Sequence, residues 1–164
     1  MNRMVTDTAH LYWNAEWQKA DGTSPWAMPE PWAVDHASTL APGSRILDLG
    51  AGIGRHALTF ADAGHQVTAI DASEAAIAAV AAAAFAKGLT LETVQAAMID
   101  LPFDSASFDH VLAWNVIYHG DESVVRRTLA EVARVLRPGG TFMATMLSAR
   151  RLPVEQAKAN GREI

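Results

Sequence analysis

The stretch ILDLGAGIGRH, residues 46–56, constrains the fold most tightly. An apolar run ends at an acid, and Gly50, Gly52 and Gly54 then take alternate positions. Such a run reads as a buried strand that turns through glycines into a helix, and glycine lets a backbone approach a ligand closely. The same pattern recurs downstream. RILDLG is a first strand, residues 54–63 a helix, and Gly64 suits the place just past its end. QVTAID is a second strand. Ser73 caps the next helix, where Ile77, Val80 and Phe85 recur at helical spacing among alanines until Gly88 stops it. LTLETVQ and DHVLAWN are the third and fourth strands. Residues 121–136 form a helix with Val125, Leu129, Val132 and Leu136 on one stripe; RPGG ends it, and TFMATML is the fifth strand. Apolar strands alternating with helices define an α/β protein, a parallel sheet covered on its faces. In such sheets ligands sit at the carboxyl ends of the strands, where the informative motifs fall.

Composition removes several classes of function. The sequence contains no cysteine, which excludes disulfides, thiolate metal sites and cysteine nucleophiles, and fits a cytoplasmic setting. The net charge of −5, with arginines only in pairs (Arg126/Arg127 and Arg150/Arg151), argues against a nucleic-acid partner. No window resembles a membrane span, and the polar, aromatic start is unlike a signal peptide. The histidines are scattered without metal-ligand spacing, so no metal is expected; His56 and His65 read as surface or helix-end residues.

Of five tryptophans, Trp13, Trp17, Trp26 and Trp32 lie in the first 32 residues, beside Pro25, Pro29 and Pro31. Residues 7–19 form a helix that places Trp13 and Trp17 one turn apart, and PWAVDHASTL a second helix opened by proline. Residues 1–42 are thus a helical, aromatic arm, 43–148 the ligand-binding domain and 149–164 a polar tail. The tryptophans mostly dock the arm, with one or two lining an acceptor pocket.

Two ligands compete for the glycine loop. The dinucleotide fingerprint G-x-G-x-x-G, with an acid about 20 residues on, is met by Gly50, Gly52 and Asp71, but Arg55 stands at the third glycine. Asp48 is awkward beside a pyrophosphate and suits a ligand with an ammonium group and no phosphate. The segment LDLGAGIGRHALTFADAGHQVTAIDAS resembles the cofactor region of class I S-adenosylmethionine-dependent methyltransferases. LPFDSASFDHVLAWNVIYH and RPGG resemble the same family around its fourth and fifth strands, and SPWAMPEPW more weakly resembles an N-terminal arm of small-molecule members.

That resemblance implies a Rossmann-like three-layer sandwich binding S-adenosylmethionine and methylating a small molecule. Asp48, Gly50, Ala51, Gly52 and Gly54 would lie under the methionine part of the cofactor, Asp71 with Ala72 at the ribose and Met98 at the base. Asn115, Tyr118 and His119 would lie near the transferring methyl, Asn115 also touching cofactor and His119 a candidate base. The sequence departs from the family at Ala97, where a carboxylate usually accepts from the adenine amino group, which costs about fivefold in affinity; Asp100 lies three residues later. The family's final strand hairpin is not recognisable in the polar tail. The fifth strand would then be an open edge, and self-association through it is expected. The rival readings are a non-catalytic nucleoside-binding or assembly module and a nicotinamide-dependent oxidoreductase.

Overall fold

A computed structural model describes residues 9–20 and 23–146. The arm comprises helix α1 (Ala9–Trp17), a short 3-10 turn (Pro25–Ala27) and helix α2 (Pro31–Thr39). There follow β1 (Arg45–Leu49), α3 (Arg55–Asp62), β2 (Gln66–Asp71), α4 (Glu74–Lys87), β3 (Glu92–Gln95), β4 (Phe108–Ala113), α5 (Glu122–Val135) and β5 (Leu136–Ala144), with a second 3-10 turn (Ile117–His119) before α5. The five strands are all parallel, in the order β3-β2-β1-β4-β5. This is the α/β Rossmann-like architecture expected from the sequence. Among the described residues no helix is long and apolar enough to cross a membrane.

Strand pleating distributes the core to both faces. Leu47, Leu49, Val111 and Ala113 pack with Val132 and Val135 of α5, whereas Ile46, Val67, Ala69 and Leu112 pack with Ala37 of α2, Ala57 and Phe60 of α3 and Val80 of α4. Successive residues such as Val111 and Leu112 therefore belong to opposite clusters, as the two-residue period of a strand requires. Caps set the helix limits: Ser73 Oγ accepts from the Ala76 N–H, and Asp121 accepts from Ser123 and Val124.

Several local expectations need correction. The buried stripe of α5 is Val124, Thr128, Val132 and Val135; Leu129 is exposed, and Leu136 has left the helix for β5. The alanine helix α4 packs through Ala76, Val80 and Ala84, so its small residues bring the backbone close and leave Phe85 89 % exposed. RPGG does not precede the last strand but bulges within it. Phe108 pairs with Leu136 and His110 with Thr141, so one residue of β4 lies between two pairs that span four residues of β5. His56 and His65 are buried, not surface residues. The imidazole of His65 donates from Nε2 to the Ala37 carbonyl at 2.9 Å, and His56 lies between the rings of Trp32 and Trp114. Of the expected arm helix, residues 7–8 lie outside the described residues, as do residue 147 of the expected fifth strand, residue 148 and the tail 149–164.

The α5 stripe also yields a stability prediction. Thr128 is fully buried and its hydroxyl has no partner. An orphaned buried hydroxyl costs about 1–3 kcal/mol, and valine is nearly isosteric. Thr128→Val should therefore raise the unfolding free energy by about 1 kcal/mol in urea titration, with no change in m-value; a loss of stability would contradict the assignment.

Candidate active site

A cavity of about 230 Å³ opens where β1, β2 and β4 end and is walled on one side by the arm. Its floor begins with Asp48, the penultimate residue of β1. Flanked by β2 and β4 in the middle of the sheet, Asp48 is only 2 % exposed, and its Oδ2 has no hydrogen-bond partner among the described residues. Burial, opposed by the Ala57 N–H and reinforced by the nearby Asp71, pushes its carboxyl up to about 7. Ala57 satisfies part of this acid, and Oδ2 remains as a buried acceptor suited to a cationic group.

Asp71 ends β2 and organises the loop opposite. Its Oδ2 accepts from the Gly52 N–H and its Oδ1 from the Ser73 N–H, both at 2.9 Å. The N–H groups hold its carboxyl down while burial, the larger influence, raises it. Gly50 N and Ala51 N both donate to the Ile70 carbonyl, which completes the tie between the glycine loop and β2. Gly50 has φ +70°, and a Cβ there would overlap Val116, so the loops after β1 and β4 pack directly on one another. Gly54 has a different task. It caps α3 at φ +86°, against Val80 of α4, and does not line the cavity. A Cβ there would meet Val80 at 2.8 Å, so close helix packing also calls for this glycine.

The other expected residues, Ala51, Ala72, Met98, Asn115, Tyr118 and His119, all line the cavity, as does Ala97 where the family carries an acid. Asp100 is exposed and does not. Asn115 adopts φ +57°, unusual without glycine, and is clamped there by Thr145: its N–H donates to Thr145 Oγ1 at 2.6 Å, and that hydroxyl donates to Asn115 Oδ1 at 3.0 Å. His119 Nε2 lies 3.1 Å from the Asn115 carbonyl. A carbonyl only accepts, so Nε2 is the donor of this bond.

The arm contributes three of its four tryptophans. Trp13, Trp17 and Trp26 line the cavity; Trp32 lies behind, 4.3 Å from the ring of Trp114. Trp17 comes within 3.0 Å of where a Cβ on Gly52 would stand, and Trp13 meets the ring of His119. Asn14 Oδ1 accepts from Ser73 Oγ and from the Ala75 N–H, fastening α1 to the start of α4. Residues the sequence did not assign to the site also reach the cavity: His10, Arg55, His56 and Trp114. His56 is driven down to about 3, first by burial and then by the Arg55 charge, so it stays neutral, its Nε2 facing the Glu30 N–H at 3.4 Å. Among the described residues no group of three or more acidic or histidine side chains is placed to hold a metal.

Fold and site together define the chain as a class I S-adenosylmethionine-dependent methyltransferase domain. It belongs to the methyltransferase domain family, whose model matches residues 46–140. It is 39 % identical over 127 residues to a demethylmenaquinone methyltransferase of Clavibacter sepedonicus, covering 75 % of this chain and 50 % of that protein. To the ubiquinone/menaquinone biosynthesis C-methyltransferase UbiE of Brucella anthropi it is 32 % identical over 161 residues, covering 94 % and 54 %. The chain thus spans about half the length of these curated relatives. Among solved structures, one from work on the conversion of a disulfide bond into a thioacetal group during echinomycin biosynthesis superposes with TM-score 0.76 at 26 % identity, over 93 % of this chain and 66 % of that one. The YcgJ protein of Bacillus subtilis superposes with TM-score 0.61 at 30 % identity, over 68 % and 47 %.

The Asp48 carboxyl predicts a pH dependence. Folded, it keeps its proton to about pH 7; unfolded, only to about 3.8. The folded state thus binds more protons between those values, and its stability falls as pH rises through that window. Asp48→Asn removes this slope. The melting temperature of the variant minus that of the wild type should climb from pH 4 to pH 7 and level off above; a difference independent of pH would refute the assignment.

Proposed function

We propose that this chain uses S-adenosylmethionine to methylate a small molecule, the reading carried by the partnerless Asp48 oxygen inside the cavity. When bound, that cofactor supplies an electrophilic methyl group on a sulfonium. Asp48 meets its cationic amino-acid end and ionises on binding, which returns the free energy that burial of the free acid withholds. Asp71 faces the ribose: each carboxylate oxygen already accepts one N–H and keeps a lone pair for a hydroxyl. Met98 with Ala72 gives the base an apolar seat, and Ala97 leaves the adenine amino group without a carboxylate. Gly50, Ala51 and Gly52 let the loop backbone approach closely.

The acceptor meets Trp13, Trp26, Trp114 and Tyr118. Methyl transfer is an in-line displacement, so holding the acceptor atom in line supplies much of the rate. The Asn115–Thr145 clamp fixes the loop that carries Tyr118 and His119, and His119 is the candidate acceptor of a proton. The buried acid at Asp48 weighs against the nicotinamide reading, since a pyrophosphate there would face it. Related proteins named for menaquinone, ubiquinone and O-methyl chemistry support a small acceptor. The same proposal puts the protein in the cytoplasm, in keeping with its lack of cysteine, and lets copies associate through β5, an edge strand among the described residues, where Phe142 is exposed, as is Met146 just beyond it.

Methyl-labelled S-adenosylmethionine incubated with the chain and a panel of small phenols, amines and quinols should leave label in one extracted small molecule. Asp71→Ala should weaken S-adenosylhomocysteine binding by about tenfold or more while circular dichroism stays unchanged. Retained S-adenosylhomocysteine binding with no transfer to any compound would favour the non-catalytic reading. For the edge, sedimentation velocity should show a dimer that Phe142→Lys dissociates; a wild-type monomer would refute that part.

A further inference from the structure

Arg55, the residue that spoils the dinucleotide fingerprint, is the only arginine or lysine among the described residues lining the cavity. Its side chain is only 13 % exposed. A guanidinium stays charged at any working pH, and its burial requires acceptors or an anion. The protein supplies few. Both polar contacts use Nη1 and are long, 3.4 Å to the Met28 carbonyl and 3.4 Å to a Glu30 carboxylate that is itself 37 % exposed. The remaining contact is the face of Trp26, 5.6 Å from the guanidinium carbon. Nε and Nη2 make no hydrogen bond among the described residues, yet neither atom is sealed off. Two adjacent N–H groups of a planar fork are thus left for something that enters the cavity.

The contacts of Arg55 also show which ligand it serves. Met28, Glu30 and Trp26 all belong to the arm, whereas Asp71 is bound to the glycine loop and the start of α4. Among the described residues the ion pair of Arg55 is with Glu30 and not with Asp48. The walls on the arm side are flat rings: Trp13 and Trp26 stand edge to face at 5.8 Å, with Trp114 and Tyr118 on the same cavity. Flat apolar walls with one forked cation among them suit a planar ring carrying an anionic oxygen group.

We propose that Arg55 anchors the methyl acceptor, and that this acceptor is a planar aromatic molecule bearing a carboxylate or an ionised hydroxyl. This rests on the methyltransferase reading above. The fork pairs with the anionic oxygens and sets the direction from which the ring enters between the tryptophans.

Calorimetry on the chain saturated with S-adenosylhomocysteine tests this with 2-naphthoate and its neutral isostere 2-naphthamide. The naphthoate should bind at least about tenfold more tightly than the amide, as a charge-assisted fork requires. Arg55→Met should bring the two probes together without changing S-adenosylhomocysteine affinity, and Arg55→Lys, which keeps the charge, should retain part of the preference. Equal binding of the two probes to the wild type, or no saturable naphthoate binding, overturns the proposal. So does an Arg55→Met chain that loses S-adenosylhomocysteine binding while it stays folded, because the guanidinium then serves the cofactor's carboxylate. Failure of S-adenosylhomocysteine to bind the folded wild type would overturn the cofactor reading instead, and the naphthoate-to-naphthamide ratio measured without it still decides the role of Arg55.

Discussion

The Asp71 carboxylate holds the site together. One oxygen takes the Gly52 N–H and the other the Ser73 N–H, so the turn after β1 and the turn after β2 share one buried anion. Charge-assisted hydrogen bonds of this kind are short and directional, and they fix both turns relative to each other before any ligand arrives. Asp48 is held close by because β1 lies between β2 and β4, covered on both faces. Burial raises the cost of ionising Asp48, and the Asp71 carboxylate at the adjacent strand end adds to it. The sheet therefore holds a carboxyl that either a proton or a cationic ligand satisfies, a perturbed acid in a cavity of the kind that marks functional sites.

The arm depends on that same scaffold. Asn14 Oδ1 accepts from the Ala75 N–H at the start of α4 and from the hydroxyl of Ser73, the residue whose N–H Asp71 holds. Trp17 then stands over Gly52, and Trp13 over His119, so the arm spans from the cofactor loop to the loop after β4. On the other flank Arg55 reaches from α3 to Met28, Glu30 and Trp26. Docking and lining are thus not competing roles for these tryptophans: the rings that bury area against each other also form the wall.

Much of this was legible in the sequence, and the parts that were not have physical reasons. The alternation of strands and helices, the Ser73 cap and the position of Asp48, Asp71 and Asn115 at strand ends followed from apolar runs broken by glycine and serine, signals that act over a few residues; the order of the strands in the sheet has no such local signal. The buried face of α5 was displaced because adjacent Val124 and Val125 both look apolar and the buried Thr128 looks polar. Phe85 drew attention by size, whereas a helix rich in alanine packs by close approach. His56 and His65 reach the interior through rings and a carbonyl contributed by the arm, contacts across 28 residues in one case, with no local pattern to announce them. Gly54 follows the loop's spacing but answers to Val80. Arg55 was visible as a departure from one fingerprint, and its partners emerged only once the arm was folded against α3.

The most direct measurement is a titration of the ¹⁵N-labelled chain with S-adenosylhomocysteine, followed by amide resonances. Saturable shifts of Gly52 and Ser73, the two N–H groups on Asp71, together with Met98 and Asn115, and a quiet Thr128 on the far helix, are the expected result. A well-dispersed spectrum of a folded protein in which Gly52 and Ser73 do not move at any concentration would contradict the claim that these loops hold the cofactor.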